Sequence, residues 1–382
     1  MTPKERYIAA LTFGNPDKFP LNPGWPREHT LRRWVTEGLP AEFEASAGDA
    51  ISYVIHELLG IPDEDVGIDP GLNVDFRMIP WFKEEVLEHK NGHYIVRDWM
   101  GAITEISDEF DYTYIRTPKD FVTRKWHKFP VENREDWEKM KERFDAMTPE
   151  RVPADIAEIG QKLRDYKDAT TIHINGPFWQ LREFMGMENL CMAFLDDPEL
   201  VRDMIGYWCD FAYRIMAERV LPYAVPTAMH FSEDMAYKAH SMISPAMTRE
   251  FLMPCYLKWI DLFNQYNIPV INMDSDGYIE ELIPIWIESG IHVCEPIEVA
   301  AGNDIVHFRE KFGTKMVYCG GIDKRAIAAG GEVMRAEVMR VVPPLLKQGG
   351  FIPSCDHGVP HDISFPNFVE YTRLLAQLTG WL

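Results

Sequence analysis

The sequence lacks the features that mark membrane, secreted and nucleic-acid-binding proteins. Its 382 residues contain no apolar run of transmembrane length, and the opening segment "MTPKERYIAALTFGNP" has no signal-peptide core. Basic residues are in deficit, because 39 Lys and Arg stand against 60 Asp and Glu, which gives a net charge of -21. That charge opposes binding to nucleic acid or to an anionic membrane surface. The composition therefore predicts a protein that acts on a small molecule or with another protein.

Cysteine is scarce, and its spacing suggests neither a disulfide framework nor a redox pair. The six cysteines include no CxxC motif (Cys191, Cys209, Cys255, Cys294, Cys319 and Cys355). This pattern favours free thiols in a reducing compartment, so we expect a cytoplasmic protein. A GxGxxG fingerprint after the first strand is also missing, which argues against an open dinucleotide-binding sheet.

What the chain does have is a repeated alternation of short apolar runs with helical stretches. Runs such as "TIHING", "AMHFSED", "PVINMDSDG" and "GFIPSCDHG" end in polar or glycine residues. Two helix starts are marked by an N-cap followed by proline, at Asp197-Pro198 and Ser244-Pro245. The alternation predicts a parallel sheet with crossover helices, which in a closed (β/α)8 barrel brings all strand ends to one face. We expect a single barrel domain over residues 1–382.

One segment departs from this alternation. Between about residues 74 and 118 the pattern becomes antiparallel, and Asn91-Gly92 separates two alternating stretches within "EEVLEHKNGHYIVRDWMGAITEIS". An Asn-Gly pair in this context is a strong signal for a two-residue hairpin turn. The sequence thus predicts an inserted β-hairpin region at about 74–118, beside the mouth of the barrel.

Carboxylates accumulate where the predicted strands end. In a barrel these residues share one rim, where like charges are costly unless a cation, a proton or a positive substrate compensates them. The strand-end residues are Glu233, Asp234, Asp274, Asp276, Glu295, Asp323 and the triplet Cys355-Asp356-His357. Their crowding predicts a functional site.

Taken singly, each of these residues has a plainer interpretation. Cys355 can be a small buried hydrophobe, and His357 a histidine that bonds to a backbone carbonyl. Asp274 and Asp276 can belong to a turn, and Glu233 can cap the segment that follows. Two further histidines within strands, His173 and His230, are expected to be satisfied core residues.

Four other segments occur in a recognisable order. They read "RYIAALTFGNPDKFPL", "NGPFWQLREFMGMENL", "SEDMAYKAHSMISPAMTREFLMPCY" and "CDHGVPHDISFPNF". Together they resemble the uroporphyrinogen decarboxylase superfamily over nearly the whole chain. The resemblance implies a (β/α)8 barrel with one of two activities. One is porphyrinogen decarboxylation, and the other is corrinoid-dependent methyl transfer from methanol, methylamines, chloromethane or aryl methyl ethers.

The region after the first strand separates these two branches. The decarboxylases carry an "RQAGR" motif there, whose arginines hold the substrate's carboxylates. This chain instead reads "NPGWPREHTLRRW", with a lone Arg27 and no paired arginines. A polycarboxylate substrate would lack its main clamp on a chain of net charge -21. Decarboxylation of uroporphyrinogen is therefore disfavoured.

The methyltransferase branch implies a zinc site made by a His-x-Cys pair and a late cysteine. Here Asp274 and Asp276 stand at the first position, and Cys355 matches the late cysteine, with Asp356 or His357 as alternatives. Carboxylates are harder ligands than thiolates and suit an oxygen substrate. We therefore expect zinc held by Asp274, Asp276 and Cys355, and a methyl ether as the methyl donor.

Other side chains near the strand ends complete the hypothesis. His357, Glu233 and Asp276 are candidates for proton transfer or substrate orientation. The candidate substrate-binding residues are Trp25, Arg27, Phe178, Trp179, Tyr237 and Glu295. The aromatic members of this set suit a flat substrate.

The resulting hypothesis is methyl transfer from a methoxylated, aromatic substrate to the Co(I) of a corrinoid. No D-x-H-x-x-G corrinoid motif occurs in the chain, so a partner protein is expected to carry that cofactor. Two alternatives stay open: a metal-free decarboxylase or lyase, and a barrel that binds a ligand without catalysis. A homodimer also stays open.

Overall fold

Two sheets account for the strands of the protein. The computed structural model describes residues 1–116 and 123–382. Within these residues, four strands form an antiparallel sheet in the order β1-β2-β3-β4, and six form a parallel sheet in which β5 to β10 follow one another in chain order. The strands are β1 (Glu85–Lys90), β2 (His93–Arg97), β3 (Ile103–Ser107), β4 (Arg124–Lys128), β5 (Thr171–Asn175), β6 (Ala228–Ser232), β7 (Val270–Asp274), β8 (Val293–Glu295), β9 (Val317–Ile322) and β10 (Phe351–Cys355).

Helices connect the parallel strands, as the alternation predicts. They are α1 (Pro3–Leu11), α2 (Glu28–Thr36), α3 (Ala47–Ser52), α4 (Arg134–Lys141), α5 (Ile156–Asp165), α6 (Pro177–Met185), α7 (Met187–Asp196), α8 (Pro198–Arg214), α9 (Pro245–Met247), α10 (Met253–Gln265), α11 (Ile283–Ser289), α12 (Ile305–Phe312), α13 (Lys324–Ala329), α14 (Gly331–Gln348) and α15 (Phe365–Thr379). Both predicted N-caps are confirmed, since the side chain of Asp197 accepts a hydrogen bond from Leu200 N and that of Ser244 from Met247 N. None of the described helices is long and apolar enough to cross a membrane.

Alternation along the parallel strands places one set of side chains on the inner face of the sheet. At the amino-terminal end this set is small and apolar, and it packs with Ala10 and Leu11 of α1. Its members from the strands are Ala228, Val270, Val293, Val317, Cys319 and Ile352. Further along the same inner face, the set becomes polar, with His230 on β6 and Asn272 on β7. The apolar layer thus closes the bottom and leaves the carboxyl ends for chemistry.

The opposite set of side chains packs against the surrounding helices and forms the main core. It includes Phe231, Met273, Cys294, Tyr318 and Phe351, all fully buried. Burying one large apolar side chain contributes about 1.5–3 kcal/mol, so this layer stabilises the fold.

Extended segments flank the two edges of the parallel sheet. Next to β10, Pro26 forms a parallel bridge with Val359, and Val359 N donates to Trp25 O at 2.8 Å. On the other side, residues 73–77 share a cavity of about 520 Å³ with His173 and Asn175 of β5. These two segments occupy the positions of the first two strands of a barrel. Among the described residues, the hydrogen-bonded parallel sheet itself contains six strands.

The predicted hairpin is confirmed and is part of a larger inserted sheet. β1 and β2 pair across Asn91 and Gly92, whose φ angles of 52° and 74° suit a two-residue hairpin turn. The strands β3 and β4 extend it, so the inserted sheet continues past the expected boundary at 118 to Lys128. Positions 117 and 118 of that boundary lie outside the described residues.

The inserted sheet and its flanks meet the barrel beside its mouth. The hydroxyl of Tyr114 donates to Glu28 at the start of α2 at 2.7 Å, and Val131 N donates to Phe184 O of α6 at 3.0 Å. Because α2 and α6 both begin where strand ends converge, the inserted sheet lies in a position to form part of the wall of the site.

Candidate active site

A chamber of about 350 Å³ opens at the carboxyl ends of the parallel strands. It is lined by the last inward-facing residue of several strands and by the loops that follow them. The lining residues are Asn175, Trp179, Ser232, Asp234, Asp274, Asp276, Glu295, Pro296, His357 and Gly358. The sequence-based expectation that separate strand ends deliver carboxylates to one place therefore holds for four of them.

Three aspartates form the centre of this chamber. One carboxylate oxygen from each of Asp234, Asp274 and Asp276 lies within 4.8 Å of the other two. Asp274 ends β7, and Asp276 follows it by two residues; both line the chamber. This is the group of potential ligands that the described part of the chain brings close enough to hold one metal ion.

Asp234 is held in place by bonds between neighbouring loops. Its φ angle is 37°, in the left-handed region that non-glycine residues rarely adopt. Its Oδ1 accepts from the backbone N–H of Asp276 at 3.0 Å, while Met235 N donates to Ser275 Oγ at 3.2 Å. Strained backbone of this kind is typical of functional sites, because the surrounding structure must enforce it.

The aspartates share more negative charge than the site neutralises. Burial, and then the nearby charge of Asp276, raise the pKa of Asp234 to about 6. Burial also raises the pKa of Asp274 above its ordinary value, against the hydrogen bond to His230. Both shifts indicate that a cation or a proton would be favoured between these carboxylates.

His230 lies against two of the carboxylates that line the chamber. Its Nδ1 lies 3.3 Å from Glu295 Oε1, and its Nε2 lies 3.6 Å from Asp274 Oδ2. Burial opposes its charge, but the hydrogen bonds to the two carboxylates outweigh that effect and raise the pKa of His230 to about 9. His230 is therefore a cation at neutral pH that offsets part of the acidic charge.

His357 contacts the aspartates from the other side. Its Nε2 lies 3.1 Å from Asp276 Oδ2, and its Nδ1 lies 3.2 Å from Nη2 of Arg27. A guanidinium can only donate, so in the neutral ring Nδ1 accepts and Nε2 carries the proton toward Asp276. The hydrogen bond to Asp276 raises the pKa of His357, and the bond from His357 outweighs burial and lowers the pKa of Asp276.

Cys355 does not join this group, which corrects its assignment as a metal ligand. It is 3% exposed and belongs to the main core with Phe351, the residue of the same alternation on β10. Among the described residues, the ligand atoms that converge are those of Asp234, Asp274 and Asp276, and the thiol of Cys355 is not one of them. The plain interpretation of Cys355 as a buried hydrophobe fits the structure.

Glu233 also lies outside the chamber lining, which corrects its proposed role in proton transfer to substrate. Its carboxylate accepts from the backbone N–H of Trp179 at 2.9 Å and of Phe178 at 3.4 Å, and Tyr256 donates to it from the side. Glu233 thus accepts hydrogen bonds from two N–H groups in the first turn of α6, and it fixes Trp179 beside the chamber.

Some of the predicted substrate-binding residues line the chamber, and others do not. Trp179 and Glu295 line the chamber, whereas Phe178 is fully buried and stacks on Phe194 in the core, so its assignment is wrong. Trp25 and Arg27 line a separate groove of about 790 Å³ that meets the chamber at Gly358. Tyr237 is 64% exposed on the loop after β6.

Two other strand-end residues have structural roles. Asp323 caps α13 by accepting from Arg325 N at 2.9 Å. Asp356 is fully buried, and it accepts from the backbone N–H groups of Val299 at 2.8 Å and Lys324 at 3.1 Å. Asp356 thus ties together the loops that follow β8 and β9, whereas Asp323 acts within the start of its own helix.

Sequence reasoning missed Asp234 as a ligand and His230 as part of the site. The signal that points to both is alternation: His230, Ser232 and Asp234 are two residues apart and share the inner face of β6 and its extension. Arg182, which holds Asp234 through its backbone carbonyl at 3.2 Å and its carboxylate at 3.6 Å, has no comparable signal.

Comparison with known proteins agrees with this architecture. The family model described as uroporphyrinogen decarboxylase (URO-D) matches residues 125–375. A solved structure, a methyltransferase from Methanosarcina mazei, is similar in fold, with 14% sequence identity and a TM-score of 0.58 over 99% of this chain and 98% of that chain. A comparison with the curated proteins gives no match. The predicted (β/α)8 barrel is confirmed, and the chain belongs to the uroporphyrinogen decarboxylase family.

Proposed function

We propose that the protein is a methyltransferase that moves a methyl group from the oxygen of a methoxylated, aromatic substrate to the Co(I) corrinoid of a partner protein. The observation that supports this proposal best is the chamber itself. It places a cluster of carboxylates and a proton-bearing imidazole at the mouth of the barrel, where a methyl ether and an external acceptor can meet.

Charge argues against the decarboxylase activity for which the family is named. Among the described residues that line the chamber there is no Arg or Lys, whereas four carboxylates are present. A polycarboxylate substrate would be repelled by that lining. An uncharged ether oxygen or a cation is compatible with it.

The three aspartates fit a divalent metal ion. Their oxygens converge within 4.8 Å, and burial, followed by the charge of neighbouring carboxylates, raises the pKa of Asp234 and of Asp274. Without Cys355 the donor set is all oxygen, which zinc accepts and which also suits magnesium or manganese. When bound, such an ion would supply Lewis acidity toward an oxygen atom of the substrate.

The residues of the chain supply the proton that ether cleavage requires. In the proposed reaction the methyl–oxygen bond breaks, Co(I) forms a new bond to the methyl carbon, and the departing oxygen gains one proton to become the alcohol or phenol. His357 is the candidate donor, because it lines the chamber, Asp276 orients its ring, and the hydrogen bond to Asp276 raises its pKa.

The acceptor comes from outside this chain. No corrinoid motif occurs in the sequence, and methyl transfer requires the cobalt at a near-attack distance of about 3 Å from the methyl carbon. The chamber opens at the mouth beside the inserted sheet, so a partner that docks there would present its corrinoid to the substrate.

The test combines purified protein, a methoxylated aromatic and a reduced Co(I) corrinoid protein encoded nearby. We expect the absorbance of methyl-Co(III) to rise in step with release of the phenol, and no reaction without the corrinoid. The double variant Asp274→Ala, Asp276→Ala should abolish both signals. The matched control is Asp63→Ala, Asp65→Ala, which removes two charges from side chains that are 86% and 88% exposed.

Two outcomes would refute the mechanism. One is turnover of the ether without any corrinoid, and the other is full activity in the Asp274→Ala, Asp276→Ala double variant. Release of carbon dioxide from a carboxylated substrate, with no methyl transfer, would instead support the decarboxylase alternative.

A further inference from the structure

A second cavity, of about 670 Å³, lies between the inserted sheet and the helices α6 and α7. It touches the chamber at Trp179, which lines both. The rest of its wall combines apolar, aromatic and basic side chains with Glu183, Glu188 and Asn189. The apolar, aromatic and basic members include Met100, Arg124, Lys125, Trp126, Phe129, Arg182 and Met187.

Two arginine–tryptophan pairs stand in this wall. The guanidinium of Arg182 lies 3.9 Å from the ring centre of Trp179, and that of Arg124 lies 4.9 Å from the ring of Trp126. One pair belongs to the barrel and the other to the inserted sheet. Each pair offers an aromatic face next to hydrogen-bond donors.

The aromatic lining is fixed by packing rather than free to collapse. The rings of Trp126 and Phe129 lie nearly parallel, at 13° and 6.3 Å between centres. Phe129 rests on the backbone of Gly186, whose φ is 77°, and a Cβ built there would come within 2.2 Å of the ring. Only glycine therefore lets Phe129 line this cavity.

We propose that this cavity, named here the sheet pocket, binds the flat aromatic ring system of the substrate, with Trp126 and Trp179 as its walls. This inference rests on the proposed function, since it places the ring of the methyl ether in the sheet pocket and its methoxy group in the chamber. Arg124 and Arg182 then face the oxygen substituents of the ring.

The sizes and polarities of the two cavities carry the assignment. The chamber is small and lined by carboxylates, so it suits a methoxy group and not an apolar ring system. The sheet pocket has the volume of a small-molecule site, and its exposed lining is more apolar than polar, although charged side chains of both signs belong to it. Two other cavities also meet the chamber: the groove at Trp25, through Gly358, and the cavity of about 520 Å³ beside β5, through Asn175.

Arg182 connects the sheet pocket to the acidic centre. The same guanidinium that stacks on Trp179 donates to Asp234 O at 3.2 Å and pairs with its carboxylate at 3.6 Å. A ring bound on Trp179 would therefore be linked through Arg182 to the carboxylate of Asp234, one of the three aspartates of the chamber. This contact explains how a distal aromatic group would help to orient the reacting oxygen.

The binding test uses 2-naphthol as the probe and needs neither metal nor corrinoid. Titration followed by tryptophan fluorescence and calorimetry should show saturable binding that Trp126→Ala weakens about tenfold, the loss expected for one aromatic wall. Trp126→Phe should recover much of it. The control is Trp81→Ala, which removes a tryptophan of similar exposure that packs at a tilt against Trp99, outside the sheet pocket.

Trp126 lies on the edge strand β4 and is 43% exposed, so its removal should leave thermal unfolding unchanged. Equal affinity in Trp126→Ala and the parent protein would overturn the inference, and so would a loss confined to Trp25→Ala. The latter result would place the ring in the competing groove.

A kinetic comparison separates this inference from the proposed function. Trp126→Ala should raise KM for 2-methoxynaphthalene about tenfold, far more than it changes KM for dimethyl ether, which has no ring to place in the sheet pocket. If no ether is turned over but 2-naphthol still binds in a Trp126-dependent way, the sheet pocket stands and the proposed reaction fails. If the variant keeps the parent KM for 2-methoxynaphthalene, the sheet pocket fails and the reaction stands.

Discussion

Nε2 of His357 lies 3.1 Å from Oδ2 of Asp276, although 81 positions separate the two residues in the chain. Asp276 follows β7 and His357 follows β10, so the barrel brings them together across its mouth. The contact raises the pKa of His357 and lowers that of Asp276. An imidazole thus lies beside the three aspartates that converge in the chamber.

The first prediction concerns metal binding. Titration with ZnCl₂ or MnCl₂ should show one site per chain, and Asp274→Ala, Asp276→Ala should weaken it by at least about 100-fold, because two of three converging carboxylates are lost. Cys355→Ala is the internal control and should keep the parent affinity. Weaker metal binding in Cys355→Ala would show that the thiol is a ligand after all. Unchanged binding in the aspartate double variant would show that the three aspartates do not hold the metal.

The second prediction concerns proton donation by His357. His357→Gln should lower kcat by about 100-fold for an ether whose departing alcohol is a weak acid, as expected for loss of a general acid. With a methyl nitrophenyl ether the loss should be much smaller, since a nitrophenolate departs without a proton. An equal loss for both ethers would assign His357 to binding or structure. Metal titration of the same variant serves as the control for an intact triad.

The third prediction concerns Glu233 as a structural residue. Glu233→Ala leaves the buried N–H groups of Phe178 and Trp179 without their acceptor, so the free energy of unfolding should fall by about 2–4 kcal/mol. Tyr256→Phe removes only one donor to the same carboxylate and should cost about 1 kcal/mol. Urea unfolding measures both. A Glu233→Ala variant that is as stable as the parent but inactive would point back to a catalytic role.

The fourth prediction follows from Asp98 in the inserted sheet. Asp98 is 1% exposed, and burial raises its pKa to about 6 despite hydrogen bonds from Ala102 N and Met100 N. Because the unfolded carboxyl titrates near 3.9, the folded state binds more protons between about pH 4 and 6. This carboxyl therefore lowers stability as pH rises through that window, and has no further effect above it.

The measurement for Asp98 compares stability at about pH 4.5 and pH 7 in the parent and in Asp98→Asn. The amide does not titrate, so the variant should gain stability relative to the parent at pH 7, by roughly 2 kcal/mol. Glu88→Gln on β1, an exposed carboxylate, is the control and should change nothing. If the stability of Asp98→Asn changes between pH 4.5 and pH 7 by as much as that of the parent, the raised pKa of Asp98 is contradicted.

The sequence by itself determined the architecture and the region of the site. Strand–helix alternation, the Asn91-Gly92 turn and polar residues at strand ends are local patterns, because each follows from side-chain spacing or turn preference within a few residues. They predict the barrel, the hairpin and the placement of Asp274, Asp276 and His357 at one mouth. The hairpin's growth into a four-stranded sheet was not predicted, since β4 pairs with β3 across a longer stretch of chain.

Only the tertiary structure decided which strand-end side chains enter the chamber. A shift of one residue moves a side chain to the other face of a strand, so Cys355 faces the helices and Glu233 bonds to α6, while Asp234 points inward. The left-handed backbone of Asp234 and its bond to Asp276 N depend on a loop 42 positions away. Such contacts join separate strands, and their energies arise only when the barrel has assembled.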